Sequence, residues 1–208
     1  PTRPWNHSSS GMRPLIVATR NEHKLRELRE LLPGVALEPL PDDVELPPED
    51  AHEFSENALD KARAAHAETS RPAIADDSGI EAHGLGGRPG VRSARYAGED
   101  ATDEENLAKL LEEVGAQDDR RVAYVCVMAL VDEGGNESIF EGRCEGTLAE
   151  APRGTGGFGY DPAFIPDDTG PDDGRTMAEL TPEEKNAISH RGRAVRALAV
   201  HLGAEATP

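Results

Sequence analysis

Residues 72–98 constrain the chain more than any other stretch. They read Pro-Ala-Ile-Ala-Asp-Asp-Ser-Gly-Ile, then Glu-Ala-His-Gly-Leu-Gly-Gly-Arg-Pro-Gly-Val-Arg-Ser-Ala-Arg-Tyr-Ala-Gly. A short apolar strand, Ala73-Ile74-Ala75, leads into two adjacent carboxylates, Asp76 and Asp77. Successive strand side chains face opposite ways, so one of the pair can line a cleft while the other braces the backbone. Ser78 and Gly79 are expected to turn the chain, and α/β sheets place ligands where strands end in loops. The same four letters, Asp-Asp-Ser-Gly, also serve as a plain turn. Gly84, Gly86, Gly87, Pro89 and Gly90, beside Arg88, Arg92 and Arg95, favour a shaped loop near an anion.

The chain before this stretch alternates strand and helix. Leu15-Ile16-Val17-Ala18 reads as a buried strand. Thr19-Arg20-Asn21 follows, and Asn21 is a good N-cap for a helix with Leu25, Leu28, Leu31 and Leu32 on one stripe, stopped by Pro33-Gly34. Lys24 falls in the first turn, where the helix dipole favours anions. Its place there makes sense if it and the free backbone N–H groups hold a phosphate; a solvated surface lysine is the other reading. Residues 39–50 form a Pro- and acid-rich loop or edge strand, and an Ala-rich helix carrying Lys61 runs from Phe54 to Thr69.

After it, Thr102-Asp103-Glu104-Glu105 is a capping box that opens a helix to about Val114. Residues 121–131 and 137–148 read as two strands joined by a hairpin turn at Asp132-Glu133-Gly134-Gly135-Asn136. Residues 167–175 read as a mobile acidic loop.

Charge and cysteines narrow the function. Forty acidic against 22 basic residues, a net charge of -18, exclude a general nucleic-acid binder, which needs a basic surface. A phosphate ligand remains open where a few cations are gathered or a metal ion intervenes. Cys126 and Cys144 fall in strands without metal-type spacing and read as reduced core residues of a cytoplasmic protein. No apolar run reaches the roughly 20 residues that span a bilayer, so no membrane partner is expected. Residues 1–11 read as the remnant of an expression tag, with Met12 the native start and residues 12–208 one domain.

Two further motifs carry chemistry. Gly154-Thr155-Gly156-Gly157-Phe158-Gly159-Tyr160-Asp161-Pro162 fits the letters of a dinucleotide fingerprint. That fingerprint must open a helix after a first strand, and Pro162 opposes helix at Asp161. The run reads instead as a backbone loop presenting Phe158 and Asp161. Phe158 either stacks on a nucleobase or tucks into the core. Thr181-Pro182-Glu183-Glu184 starts another helix. In one unbroken helix Lys185 and His190 would lie about 140° apart, at 3.6 residues per turn. They serve one ligand only if the helix breaks, with Ser189 capping a second helix over 190–202.

Carboxylates with scattered Lys, Arg and His on an α/β frame suit phosphate-ester chemistry with a divalent metal better than acyl or hydride transfer. The chain resembles the inosine/xanthosine triphosphate pyrophosphatases, which hydrolyse deaminated purine nucleotides. The resemblance lies in Ala-Thr-Arg-Asn-Glu-His-Lys (18–24), Phe-Ser-Glu-Asn-Ala (54–58), Ala-Asp-Asp-Ser-Gly (75–79), Gly-Arg-Pro-Gly-Val-Arg-Ser-Ala-Arg-Tyr (87–96), the glycine-rich run at 154–162, and residues 179–192.

The resemblance implies an elongated two-lobed α/β domain, with a long central mixed sheet flanked by helices and a ligand cleft between the lobes. It implies a homodimer, a purine nucleoside triphosphate substrate and Mg2+. Asp77 would be the general base and, with Glu49, a metal ligand. Thr19, Arg20, Asn21, Glu22, His23 and Lys24 would hold the triphosphate, with Lys61 and Ser78 nearby. Phe158, Gly159, Tyr160 and Asp161 would form the base pocket, completed by Lys185, His190 and Arg191. Arg20 departs from the small residue more usual in the Thr-x-Asn turn, and either adds a phosphate contact or points outward. A nucleotide-binding regulatory module and a pyrophosphatase of modified pyrimidines are the alternatives; intact Asp77 and Lys24 oppose the first, and the Ser-His-Arg segment opposes the second.

Overall fold

The helices begin where their capping residues put them. In a computed structural model that describes residues 13–207, Asn21 caps α1 (Glu22–Leu31) by accepting from the N–H groups of His23 and Lys24. Residues 1–11, expected to be a tag remnant, and Met12, expected to be the native start, lie outside the described residues. Thr102 and Glu105 form the expected reciprocal box at the start of α3 (Asp103–Gly115), and Thr181 and Glu184 form another at α4 (Pro182–Ile188). Ser189 is extended, with φ -62° and ψ 144°. The helical path therefore breaks there before α5 (His190–Leu202) begins.

These elements flank a six-stranded sheet in the order β2-β1-β3-β4-β5-β6. Its strands are β1 (Leu15–Val17), β2 (Leu37–Pro39), β3 (Ala73–Ala82), β4 (Arg121–Val131), β5 (Glu137–Leu148) and β6 (Phe164–Pro166). β1 pairs parallel with both β2 and β3, while β5 pairs antiparallel with β6, so the sheet is mixed. The parallel pairings need crossovers. α1 supplies the first, and α2 (Phe54–Thr69) lies on the path from β2 to β3.

The chain divides into two compact units. The first comprises the chain through Asp77, Val127–Glu141 and the stretch from Gly192. Its core joins Leu15, Ile16, Val17, Leu28, Ala58, Ala62, Ile74, Met128 and Leu198, all nearly inaccessible to solvent. The second comprises Ser78–Cys126 and Gly142–Arg191. Its core gathers Ile80, Leu110, Val122, Tyr124, Leu148, Phe164 and Met177.

Two expectations are corrected. β3 does not turn at Ser78-Gly79 but continues to Ala82. Ile80 and Ala82 are fully buried, and the Ile80 N–H donates to Ser93 Oγ at 2.8 Å, so apolar burial and pairing override the local turn chemistry. The chain reverses later, at Gly86 (φ 65°) and Gly87 (φ 90°), with the Gly87 N–H on the Ala82 carbonyl. Two of the arginines after it have acidic partners: Arg88 pairs with Glu113 at 3.2 Å, and Arg95 faces Glu99 at 3.8 Å. Residues 167–175 are tied down rather than loose. Arg121 makes a two-pronged pair with Asp167, and Arg175 binds both Asp173 and Glu184.

Candidate active site

The first unit builds its site on the two mid-strand carboxylates. Asp76 and Asp77 take different helices as partners, as alternation requires. The Asp76 carboxylate is 3.0 Å from the Lys24 ammonium on α1. Its backbone carbonyl accepts from Lys61 on α2 at 2.6 Å. Lys61 is buried and also bonds the Glu49 carboxylate. A buried ammonium needs such partners to offset its lost hydration. Lys24 is half-buried on Asp76, so it is not a freely solvated lysine.

Asp77, itself 7% exposed, accepts from Asn57 Nδ2 at 2.9 Å. Burial pushes its carboxyl above the usual range. The Asn57 bond and Lys61 pull it back, while the charges of Glu49 and Asp76 push it further up. A carboxylate that holds its proton more readily than usual is suited to accept one from water.

The turn expected to hold phosphate is organised differently from expectation. Asn21 N–H donates to Thr19 Oγ1 at 3.1 Å, and Asn21 itself takes the N–H groups of His23 and Lys24. Those amides are therefore capped, not free. Glu22 is exposed in the first turn, and the His23 ring accepts from Arg26 at 2.6 Å. The Arg20 guanidinium donates to the carbonyls of Leu40, Pro41, Asp42 and Val44. Five planar donors suit a cluster of carbonyls, so Arg20 braces residues 40–44.

The second unit carries the residues expected to read a base. Asp161, 3% exposed, accepts from Tyr124 Oη at 2.9 Å, the Phe158 N–H at 3.0 Å and Lys185 Nζ at 2.6 Å. Gly157 makes this possible. It sits at φ 69°, and a Cβ there would run into the Asp161 carboxylate. The glycine run opens only a short 3-10 turn at Asp161–Ala163, not the α-helix a dinucleotide fingerprint needs. Phe158 is 67% exposed, which removes the core reading, and the Lys185 ammonium lies 4.8 Å from its ring centre.

Gly159 N–H is held by Asp103 at 2.9 Å, and the Tyr160 hydroxyl donates to the Ser93 carbonyl at 2.6 Å. Buried Tyr160 therefore supports the loop from beneath. Across the break at Ser189, Lys185 and His190 reach a hydrogen-bonded pair, Asp161 and Tyr124. Lys185 shares Asp161 with Tyr124, and the His190 ring stacks on Tyr124 at 4.7 Å, 13° from parallel. Arg191 is buried, with Nη2 3.4 Å from Ser78 Oγ.

Sequence reasoning missed Tyr124 and the lysine-holding role of Asp76, and gave Asn57 no role. Asn57 stood in a noted segment, Phe-Ser-Glu-Asn-Ala; its one signal was a polar residue on the apolar stripe of α2.

Among the described residues no three His, Cys, Asp or Glu side chains form a metal cage, and no helix is long and apolar enough to cross a membrane. Mg2+ binds through one or two carboxylates plus phosphate oxygens and waters. Glu49 and Asp77 offer such oxygens, and the mutual repulsion of the acid cluster invites a cation.

The sequence model of the Ham1 family matches residues 15–201. A dITP/XTP pyrophosphatase of Geobacter sulfurreducens is 49% identical over 199 residues, covering 92% of this chain and 98% of the relative. One from Symbiobacterium thermophilum is 51% identical over 187 residues, covering 87% and 90%. The solved structure of a HAM1 protein from Coxiella burnetii superposes with a TM-score of 0.84 at 43% identity, covering 92% of this chain and 99% of that one.

Proposed function

Because the chain belongs to the Ham1 family, we propose that it hydrolyses deaminated purine nucleoside triphosphates (ITP, dITP and XTP) to the monophosphate and pyrophosphate. One observation carries the chemistry: buried Asp77, its carboxyl pushed up by burial, beside Lys61 and next in the strand to the Lys24 anchor. Water attacks the α-phosphorus, its proton passes to Asp77, and the bond to the bridging oxygen breaks to release pyrophosphate. Lys24 and Lys61 offset the charge that gathers on the leaving group. Glu49 and Asp77 would hold Mg2+, which when bound supplies Lewis-acid stabilisation of the phosphate oxygens.

Base choice belongs to the other set. Phe158 offers an exposed face for stacking, worth about 1–3 kcal/mol per base. His190 and Arg191 are donors that accept a 6-oxo group and meet adenine's 6-amino group donor to donor. A mismatch of that kind discriminates strongly. A cytoplasmic homodimer is the expected state, open to size-exclusion chromatography and cell fractionation.

The test is pyrophosphate release from ITP, XTP, dITP, GTP and ATP, with Mg2+ and with chelator. Fast release from the deaminated substrates, little from ATP and loss on chelation are expected. Equal turnover of ATP, or orthophosphate as the product, would overturn the reading.

A further inference from the structure

Lys185 and His190 lie on different helices, yet both reach their places through one side chain on β4. Tyr124 donates its hydroxyl to Asp161 Oδ1 at 2.9 Å, while Lys185 and the Phe158 N–H take Oδ2. The same ring stacks on His190 and on Phe164, whose centre lies 4.4 Å away at 22°. Phe164 is fully buried, so the stack is founded in the core. We propose that Tyr124 is the positioning residue of the base-reading set, its hydroxyl fixing Asp161 and its ring face fixing His190.

Two features support this. Asp161 is 3% exposed, so each carboxylate oxygen depends on protein donors. Removing the hydroxyl would leave Oδ1 short of a partner, and the carboxylate would turn, disturbing the Phe158 loop and Lys185 with it. Burial and the Asp161 charge also hold the phenol far above its ordinary value, so it remains a donor throughout the working pH range. A phenylalanine would preserve the stack and lose only the donor. A leucine would lose both.

The proposal rests on the base-reading role given above to Lys185 and His190. Its test pairs kinetics with a measurement that needs no turnover. Tyr124→Phe is expected to raise KM for dITP about tenfold with kcat nearly unchanged, since hydrogen bonds to charged groups are worth that much. In NMR spectra of the same variant, the Phe158 amide proton should move while the His190 ring signals stay.

Tyr124→Leu should move the His190 signals as well and narrow the preference for dITP over ATP. An unmoved Phe158 amide in Tyr124→Phe, or a fall in kcat at constant KM, would overturn the assignment; where Tyr124→Leu does not fold, these two readouts decide it alone. If the wild-type protein turns over none of the nucleotides, the functional reading fails, and the NMR shifts still judge whether Tyr124 positions Asp161 and His190.

Discussion

Replacing Asp77 by Asn should destroy turnover and make the protein more stable. The two side chains are nearly the same size, and Asn57 can still donate to the new amide oxygen from its present place, 2.9 Å from Oδ2. What is lost is the proton acceptor. A general base contributes about 10²–10⁴-fold, or about 2.7–5.4 kcal/mol at about 1.36 kcal/mol per decade. What is gained is relief from burying a charge.

The Asp77 carboxyl titrates above its ordinary value, with burial the chief cause. Folding therefore favours its protonated form. Below the unfolded carboxyl's range the charge costs nothing, and the cost is fully developed once pH exceeds the folded value. Each unit of elevation corresponds to about 1.4 kcal/mol at neutral pH. In a chain of this size about 1 kcal/mol moves Tm by about 2–4 °C. Asp77→Asn should thus melt above wild type at pH 7, with the gap closing as pH falls toward 4. Pyrophosphate release and paired thermal melts at the two pH values read both effects. Turnover within threefold of wild type would refute the base assignment, and a lower Tm at pH 7 would refute the claim that burial dominates.

Other substitutions separate the remaining roles. Phe158→Ala should raise KM by about 5–150-fold, the worth of one stacked base, and leave Tm almost unchanged because the ring is 67% exposed; a large Tm loss with normal KM would return Phe158 to a structural role. Arg191→Ala should narrow the ratio of kcat/KM for ITP over ATP by about tenfold or more, the worth of one charged hydrogen bond, and an unchanged ratio would remove Arg191 from base reading. Arg20→Ala should cost about 1–3 kcal/mol of stability in urea denaturation, from the unanchoring of residues 40–44. A higher KM for triphosphate at unchanged stability would instead make Arg20 a phosphate contact.

Much of this was legible because local signals agreed with the fold. The helix Phe54–Thr69 and the hairpin strands Arg121–Val131 and Glu137–Leu148 carry their own periodicity and turn residues, and they form with the expected ends. The capping boxes at Thr102 and Thr181 are equally local. The failures are places where a distant partner decides. Ser78-Gly79 has turn chemistry but is held in β3 by Ile80, Ala82 and the Ser93 hydroxyl. Arg20 stood between a phosphate contact and an outward path; in the structure carbonyls some 20 residues onward take its guanidinium. Tyr124 gave no signal at all, since a tyrosine in an apolar strand is ordinary. Only the return of the chain at Asp161 and His190 gives it a task.

The most direct measurement places equal amounts of ITP and ATP in one tube with Mg2+ and follows every nucleotide and phosphate product by chromatography. The proposed assignment of Asp77 as the base and of His190 and Arg191 as donors to a 6-oxo purine predicts IMP and pyrophosphate in equal amounts while ATP persists. AMP accumulating at the rate of IMP would contradict the assignment of base recognition, and IDP with orthophosphate would contradict the assignment of the reaction.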